Sequence, residues 1–428
     1  MFACRGLTWL RDGGFLAFIA TSNWVTNSGA SKLRSKVATD ARIEELVDFG
    51  AYMIFDDASV QKMILIARKA SGPARYTFEL RRLVKAEPVI ADVHAFLCGQ
   101  PSKAAEHLRP MFDRAGLTAS TFTFSDKDTD ALLARIAAKK NFELDGRREI
   151  AQGIVPNVDV VTSSGLEHIP EAERVKRGVA VGDGVFVVPS NRFPAPTKEE
   201  LRFLKPCYEP ADVDRYVIRR EARLDLIYSK RDVTQLTPLP KRLADHLARF
   251  REIMERRREN VSGRIEAYNL HWPRDERFFQ KGPKILSVRK AVVPAFAYTE
   301  GDAYVMMAFN VIRTDRVDIK FLTGLLNSTV IRFWLRHRGK MQGAIYQVDK
   351  EPLLTLPLHA PPAAEQRRIS GLVTQVISAA SSVFAARTDA EAERSLRLRA
   401  EAEERVELAI AALYGLDQSE LEVMASLL

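Results

Sequence analysis

Residues 10–25 read LRDGGFLAFIATSNWV. The Gly13–Gly14 pair predicts a turn, and the apolar run FLAFIA that follows it stops at the polar cluster TSNW. A short continuous apolar run between a turn and a polar cluster is typical of an inner strand of a parallel sheet, buried on both faces. We therefore expect an α/β domain in which this strand ends at a functional site.

The segments after this strand alternate between helical and strand patterns. SKLRSKVATDARI (31–43) has helical spacing, with its apolar residues on one side. EELVDFG (44–50) and VQKMILIARKA (60–70) have strand patterns. Because the link between these two strands is short and contains no helix, we expect an antiparallel pair at a sheet edge.

The rest of the chain divides into three regions. Residues 73–146 are mixed and end in a helical pattern, DTDALLARIAAKKNF. Residues 147–360 combine short β runs rich in Gly and Pro with a strongly basic helix at 241–260 and an amphipathic helix at 320–339. Residues 361–428 are helical and rich in Ala, Glu and Arg. We expect a mixed α+β domain followed by a helical C-terminal region.

The composition favours a globular protein with some preference for polyanionic partners. Of the 428 residues, 46% are apolar, and 64 Lys and Arg stand against 55 Asp and Glu. The formal excess of +9 favours a polyanion, although many proteins are mildly basic. Cys4, Cys98 and Cys207 show no disulfide or metal spacing. No apolar run reaches about 18 residues, so we expect no membrane span. No signal peptide is recognisable at the N-terminus, so we expect a cytoplasmic protein.

Two basic stretches also contain aromatic residues and Gln. They are 274–290 (RDERFFQKGPKILSVRK) and 332–346 (RFWLRHRGKMQGAIY). Phosphates need cationic partners, and bases need planar or amide contacts. Together with the basic helix at 241–260 the stretches favour nucleic-acid binding, and solvated basic faces are the alternative. The candidate DNA contacts are Lys281, Lys284, Arg289, Arg336, Arg338 and Lys340.

The sequence contains no motif of a self-contained catalytic site. Neither a P-loop nor an HExxH or GxSxG motif occurs. GDGVFVV (182–188) is followed by a β run and not by a helix, so it predicts a hairpin turn and not a nucleotide loop. In AYMIFDDASV (51–60), Phe55 stands between two strands beside Asp56 and Asp57. This ring is either a core aromatic at a strand end or a platform for a ligand ring.

Several stretches together resemble one protein family over nearly the whole chain. GGFLAFIATSNWVTNSGASKLRSKV resembles the fifth strand of its catalytic sheet with the following helix, and IEELVDFGAYMIFDDASVQKMILIARK resembles its antiparallel strand pair. The family is the adenine-specific DNA methyltransferases of bacterial restriction–modification systems with a TaqI-like C-terminal specificity domain. The likeness is to their C-terminal two-thirds. The remaining matching stretches are REIAQGIVPNVDVV, GVFVVPS, LKPCYEPADVDRYV, LIYSK, NLHWPRDERFFQKGPKIL, FLTGLLNSTVIRFWLRHRG, LTLPL and LYGLDQSELEVM.

The resemblance implies a domain order. It places the C-terminal part of a Rossmann-like methyltransferase sheet at 1–72 and a connector at 73–146. A mixed α+β target-recognition domain follows at 147–360, and a helical C-terminal region at 361–428. The implied function is part of a site-specific N6 methylation of adenine in double-stranded DNA. The alternative is a DNA-binding specificity module, or a degenerate remnant, without catalytic activity.

The resemblance also implies roles for residues at the end of the quoted strand and in the link between the next two. The family flips its target base out of the helix. Phe55 corresponds to the aromatic that stacks on the flipped adenine. Ser22, Asn23 and Trp24 are the candidates for the edge of the pocket.

Two motifs of the family are absent from this sequence. The family binds S-adenosylmethionine at a Gly-rich turn and positions the adenine with an (N/D/S)-P-P-(Y/F/W) tetrapeptide. Here Pro361–Pro362 is flanked by Ala360 and Ala363. We therefore expect no cofactor-binding residues in this chain and no activity of the chain alone. The expected partners are double-stranded DNA and a complementary N-terminal methyltransferase subunit, unless the chain is a truncated product.

Overall fold

The computed structural model describes most of the chain, whose internal contacts divide it into two compact units. The first unit consists of Met1–Lys140, Phe333–Gln347 and Leu427–Leu428, and the second of Asn141–Arg332 and Val348–Ser426. No helix in the described part is long and apolar enough to cross a membrane. The described residues are 2–26, 28–55, 60–70, 73–85, 87–114, 122, 124–125, 127–156, 158–230, 239–266, 268–342 and 344–428.

Strands are short and numerous, and the longest helices lie near the C-terminus. The strands are β1 Phe15–Thr21, β2 Ala41–Asp48, β3 Lys62–Lys69, β4 Arg75–Thr77, β5 Glu79–Leu83, β6 Ala105–Leu108, β7 Met111–Asp113, β8 Ile150–Gln152, β9 Val187–Pro189, β10 Leu204–Tyr208, β11 Leu224–Ile227, β12 Lys284–Val288, β13 Lys290–Ala291, β14 Phe296–Thr299, β15 Tyr304–Val305, β16 Phe309–Ile312, β17 Met341–Gln342 and β18 Ile345–Gln347. The α-helices are α1 Phe2–Trp9, α2 Ser31–Asp40, α3 Ile90–Leu97, α4 Lys127–Ala138, α5 Ser163–Leu166, α6 Glu171–Arg177, α7 Lys198–Phe203, α8 Lys241–Ala248, α9 Arg251–Glu255, α10 Arg258–Val261, α11 Ile319–Asn327, α12 Thr329–Arg338, α13 Lys350–Leu354, α14 Ala363–Ala385, α15 Asp389–Tyr414 and α16 Gln418–Ser426.

The main sheet of the first unit has five strands in the order β1-β3-β2-β5-β6. β1 and β2 both run antiparallel to β3, and β2 runs parallel to β5. The predicted antiparallel pair is confirmed as β2 and β3. Its predicted position at a sheet edge is wrong, because β1 pairs with the far side of β3 and β5 with the far side of β2. The sheet therefore continues past residue 72.

β1 is an outer strand among the described residues. Its apolar sequence predicts an inner strand of a parallel sheet, and that prediction is wrong for this chain. β1 pairs antiparallel with β3 alone among the described strands. Its residues alternate between exposed and half-buried, and Phe15 and Ile19 are 62% and 41% exposed. The prediction fails because no described strand lies along the other side of β1, which leaves one edge and one apolar face uncovered.

The opposite face of this sheet is covered by α2. Val37 of α2 and Leu65 of β3 belong to one buried apolar cluster, which also contains Trp24. Arg34 is buried beside them, and its Nη1 donates to the carbonyl of Trp24 at 2.8 Å. The helix predicted at 31–43 is confirmed over 31–40 as α2, whereas residues 41–43 belong to β2.

Two four-stranded sheets form the centre of the second unit. Their strand orders are β15-β10-β11-β9 and β14-β12-β16-β8. Leu226 of the first of these sheets and Leu286 of the second lie in the same buried apolar cluster, so the two sheets share one core. The short β runs that the sequence predicts in this part of the chain are present as these strands.

The amphipathic helix predicted at 320–339 is two helices, α11 and α12. The break is at Ser328, whose hydroxyl donates to the carbonyl of Leu325 at 2.7 Å. The N–H of Thr329 donates to the carboxylate of Glu407 at 2.8 Å, which satisfies an N–H group at the start of α12. The break carries no Gly or Pro, so the apolar periodicity alone predicts one continuous helix.

The C-terminal region is helical, as the sequence predicts. α14 and α15 pack against each other, and Val373 of α14 lies so close to Gly324 of α11 that a Cβ there would crowd it. Arg399 of α15 forms an ion pair with Asp214 at 2.5 Å. The basic helix predicted at 241–260 is divided into α8, α9 and α10.

Candidate nucleic-acid interface

The polar cluster after β1 lies at the same end of the sheet as the link between β2 and β3. The N–H of Ser22 donates to the carbonyl of Gln61 at 3.0 Å, and the N–H of Phe49 donates to the carbonyl of Lys62 at 3.2 Å. Both ends of the link therefore lie next to the carboxyl end of β1. Residues 56–59 of the link, including Asp56 and Asp57, lie outside the described residues.

Phe55 lies on this link with its side chain in contact with solvent. It is 48% exposed, and the ammonium of Lys62 lies 5.7 Å from the centre of its ring. This exposure favours the platform over the alternative interpretation of the ring as a core aromatic. An accessible ring beside a cation can stack on a planar ligand. Its contact with a flipped base stays a prediction.

The three residues of the predicted pocket edge differ in their exposure to solvent. Ser22, Asn23 and Trp24 lie in a 3-10 turn directly after β1. Asn23 is exposed and Ser22 is half-buried. Trp24 is buried, and its ring centre lies 5.8 Å from that of Phe122 in an edge-to-face contact. The assignment of Trp24 to a pocket edge is wrong, because its indole belongs to the core of the first unit.

Lys284 is not available for a DNA contact. It is 0% exposed, and its ammonium donates to the carbonyls of Gln280, Gly282 and Gly301 at 2.9, 3.0 and 2.5 Å. Burial lowers the pKa of this ammonium to about 8, with a smaller effect from the charge of Arg313. The prediction of a phosphate contact at Lys284 is wrong, because three backbone carbonyls already satisfy its three donors.

Two further candidates, Arg289 and Arg338, form ion pairs within their own units. Nη2 of Arg289 lies 2.6 Å from the carboxylate of Asp349, and Nη2 of Arg338 lies 2.7 Å from that of Asp130. These pairs stabilise the fold, and a phosphate would have to compete with each carboxylate. A DNA contact by either arginine stays a prediction.

The other three candidates are accessible to solvent. Lys281 is exposed, and Arg336 and Lys340 are half-buried. Lys281 belongs to the second unit with Lys284 and Arg289, whereas Arg336 and Lys340 belong to the first unit with Arg338. The six predicted contacts are thus divided equally between the two units.

A cleft that the sequence did not indicate lies at the end of β8 in the second unit. The N–H of Val155 donates to the carbonyl of Trp272 at 3.0 Å, and the N–H of Trp272 donates to the carbonyl of Val155 at 2.9 Å. The N–H of Ile154 donates to the carbonyl of Val305 at 2.9 Å. These bonds join three segments around a cleft of about 190 Å³. The cleft is lined by Ile154, Val155, Pro156, Asp159, Arg257, Glu259, His271, Met306 and Met307.

Gly153 permits the close approach of these segments. A Cβ at this position would overlap the carbonyl oxygen of Met306. The N–H of Gly153 donates to the carbonyl of Phe309 at 3.0 Å, which fixes the backbone there. Glycine is needed where two backbones approach this closely.

Trp272 and Arg274 form an aromatic and cationic pair beside the cleft. Trp272 is 53% exposed, and the guanidinium of Arg274 lies 5.6 Å from the centre of its ring. The ring of His271 lies 5.2 Å from that of Trp272. The one sequence signal for this pair is its place in the stretch NLHWPRDERFF. Its exposure and its contacts could not be predicted.

Three consecutive arginines lie close to the same cleft. Arg256, Arg257 and Arg258 follow α9 directly and are exposed. Among the described residues, no carboxylate lies within 4.0 Å of their guanidinium groups. Arginines without carboxylate partners can bind phosphate oxygens in bidentate fashion. The sequence marked this segment as basic, and the structure shows which of its cations are accessible.

Family models match two separate parts of this chain. Residues 206–358 match the TaqI-like C-terminal specificity domain, and residues 1–55 match the Eco57I restriction-modification methylase. The chain resembles a restriction–modification methylase with a TaqI-like specificity domain. The resemblance stated from the sequence is thereby confirmed. The arginines 256–258 and the Trp272–Arg274 pair lie inside the matched specificity domain.

Solved structures of restriction–modification enzymes also resemble the chain. The Type IIL restriction-modification enzyme MmeI, solved in complex with DNA, aligns over 99% of this chain and 51% of its own, with a TM-score of 0.60 and 12% identity. The type IIG restriction endonuclease BpuSI aligns over 96% of this chain and 48% of its own, but its TM-score of 0.36, at 11% identity, supports no argument. The chain spans about half the length of these enzymes, and the likeness to MmeI shows a shared fold. No curated protein matches the chain.

Proposed function

We propose that this chain is part of a site-specific DNA-methyltransferase that acts on the N6 amino group of adenine. The observation that carries the proposal is that one chain contains both a methylase match, over 1–55, and a specificity-domain match, over 206–358. In this proposal the second unit holds and reads double-stranded DNA. The first unit supplies the side of the methylase site that faces the target base.

The proposed chemistry requires the adenine to leave the base stack. Its amino group is not accessible inside the duplex, and extruding the base costs a few kcal/mol. Stacking on an aromatic ring offsets part of this cost. In our proposal Phe55 provides this ring, and the hydroxyl of Ser22 and the amide of Asn23 bind the polar edge of the base.

S-adenosylmethionine is the proposed methyl donor, but the residues of this chain do not by themselves fit this cofactor. The Gly-rich turn and the Pro-Pro tetrapeptide are absent from the sequence. In the structure, Phe15 and Ile19 on β1 are exposed, so one apolar face of this strand is uncovered. We therefore assign the cofactor to further strands of the sheet and derive no chemical step at it.

The free edge of β1 is the proposed position of those strands. Along Phe15–Thr21, the side away from β3 has no strand partner among the described residues. An apolar strand edge of this length normally gains a neighbouring strand or is covered. We propose that a complementary methyltransferase segment, on a second polypeptide or elsewhere in the same protein, completes a Rossmann-like sheet there.

A DNA-binding specificity module without catalytic activity is the second candidate. The absence of the Pro-Pro tetrapeptide from the sequence favours it. Both candidates bind duplex DNA through the second unit. They differ in one measurement, the transfer of labelled methyl groups to DNA when the complementary segment is supplied.

The full chain is expected to enrich one sequence motif from a pool of random DNA duplexes. Its affinity for the selected duplex should fall between about 50 and 200 mM salt, because each phosphate contact contributes about 0.9 to the slope of log affinity against log salt. Fluorescence anisotropy measures this slope. Failure to enrich a motif would contradict site-specific recognition, and an affinity independent of salt would contradict binding to the phosphates.

Phe55→Ala is expected to leave the thermal midpoint of unfolding nearly unchanged and to weaken base flipping. The ring is half-exposed, so little buried apolar area is lost. Loss of the base stack should cost about 1–3 kcal/mol. Flipping is measured as the fluorescence of 2-aminopurine at the target position, with the chain in complex with its complementary segment.

Phe49, at the start of the same link, provides the matched control. It is buried, and its ring centre lies 5.5 Å from that of Phe96. Phe49→Ala should cost about 3–5 kcal/mol of the free energy of unfolding. If Phe55→Ala unfolds as readily as Phe49→Ala, and flipping in its folded fraction is normal, the stacking role of Phe55 is wrong.

A further inference from the structure

Trp272 presents its indole to solvent from a fixed backbone. Its N–H and its carbonyl both hydrogen-bond to Val155, at 2.9 and 3.0 Å, so its main chain is tied to the segment that follows β8. The side chain is nevertheless 53% exposed. A large ring on a fixed backbone offers contact area at a low cost in conformational entropy. This combination is the first indication of a binding surface.

Arg274 contacts the indole of Trp272 and has an unfavourable backbone conformation. Its φ is +64°, in the left-handed region that residues with a side chain rarely adopt. Its Nε donates to the carbonyl of Gly153 at 3.2 Å, and its Nη2 donates to Oε1 of Gln152 at 3.4 Å. Unfavourable conformations of this kind cluster at ligand-binding sites. The hydrogen bonds and the ring contact with Trp272 together fix the position of this cation.

The side chains of Trp272, Arg274 and Gln152 carry the chemical groups that recognise base pairs. An indole face contacts bases and the thymine methyl group, a guanidinium pairs with guanine, and a carboxamide pairs with adenine. Burial, and then the charge of Arg289, lowers the pKa of Arg274, yet a guanidinium remains cationic at neutral pH. The exposed arginines 256–258 add cations for the neighbouring phosphates.

We propose that Trp272, Arg274 and Gln152 form the base-reading element of the second unit, with double-stranded DNA as the ligand. The arginines 256–258 contact the phosphates beside it. This inference rests on the proposed function, and it adds which residues determine the recognised sequence. None of these residues is among the six contacts predicted from the basic stretches.

The test repeats the selection from random duplexes with the full-length Trp272→Ala variant. We expect its affinity for the wild-type motif to fall by about 5- to 100-fold, with loss of base preference at one or two adjacent positions. The salt slope should not change, because no phosphate contact is removed. The thermal midpoint should not change either, because the ring is exposed. Trp272→Phe keeps an aromatic face and should retain the motif.

Two further variants separate base reading from phosphate binding. Arg257→Ala should lower the salt slope by about 0.9 and leave the selected motif unchanged. Gln152→Leu should weaken the preference for adenine at one position and leave the salt slope unchanged. The reason is that a carboxamide pairs with the adenine edge, whereas an alkyl side chain of similar size cannot.

The outcomes distinguish this inference from the function on which it rests. An unchanged motif and an unchanged affinity in Trp272→Ala would overturn the base-reading element, while the motif of the wild-type chain would still support the proposed function. A wild-type chain that selects no motif would contradict the proposed function itself.

Discussion

Gly153→Ala is expected to destabilise the second unit by about 3 kcal/mol. A Cβ at this position would overlap the carbonyl oxygen of Met306, which is a backbone atom and cannot rotate away. Relief would require the segment after β8 to separate from the segment at Met306, with loss of the bond from Ile154 to Val305. The free energy of unfolding, from chemical denaturation followed by circular dichroism, measures the effect.

Gly371 is the matched control for this substitution. It lies within α14, and apart from the backbone of its own helix and its chain neighbours no atom lies within 4 Å of a Cβ placed on it. Gly371→Ala should therefore stabilise the second unit, by up to about 1 kcal/mol, because alanine favours the helical backbone. Equal stability of Gly153→Ala and the wild-type chain would show that the segments around the cleft are not packed as described.

One buried side chain is expected to cost the second unit about 3 kcal/mol of stability as the pH falls from about 6.5 to about 4. The side chain responsible is His246, which is 5% exposed and packs between Phe193 and Phe250. Burial lowers the pKa of this imidazole from 6.5 to about 4. The unfolded chain therefore binds a proton first, and acid shifts the equilibrium towards unfolding. Above pH 6.5 the imidazole is neutral in both states and has no effect on the slope.

His246→Gln should reduce this acid dependence. The amide does not titrate, and it can still donate to the carbonyl of Val185, which Nε2 of His246 contacts at 3.0 Å. The informative quantity is the difference in unfolding free energy between pH 7 and pH 4.5, compared between the variant and the wild-type chain. His168→Gln, at an exposed position, is the control and should keep the full slope. An identical slope in His246→Gln would contradict the assignment.

The positions of strands along the chain were predictable from apolar periodicity, but the strands with which they pair were not. The pattern of 60–70 gives β3 to within two residues. The apolar run at 15–20 predicts the position of β1 correctly. It also predicts burial on both faces, but Phe15 is exposed, because no described strand lies beyond β1. Ser328 shows a different limit, because the break there depends on a carboxylate from Glu407, far away in sequence.

The candidate site was predictable as a region and not as a set of residues. A basic stretch does not show that the ammonium of Lys284 lies among three carbonyls, because two of them come from its own turn and the third from Gly301. Trp272 carried no periodic signal. Its significance comes from an exposed ring and from a contact with Arg274, and both are properties of the folded chain.

The first unit is discontinuous in sequence, and this has a consequence for the nascent chain. Residues 1–140 and 333–347 belong to the same unit, and the pair of Asp130 with Arg338 joins the two segments at 2.7 Å. A ribosome makes residues 141–332 before it makes the second segment. The first unit therefore cannot be completed co-translationally when residue 140 emerges. A fragment that stops at residue 140 would lack a piece of its own fold, so an excised first unit needs residues 333–347 as well.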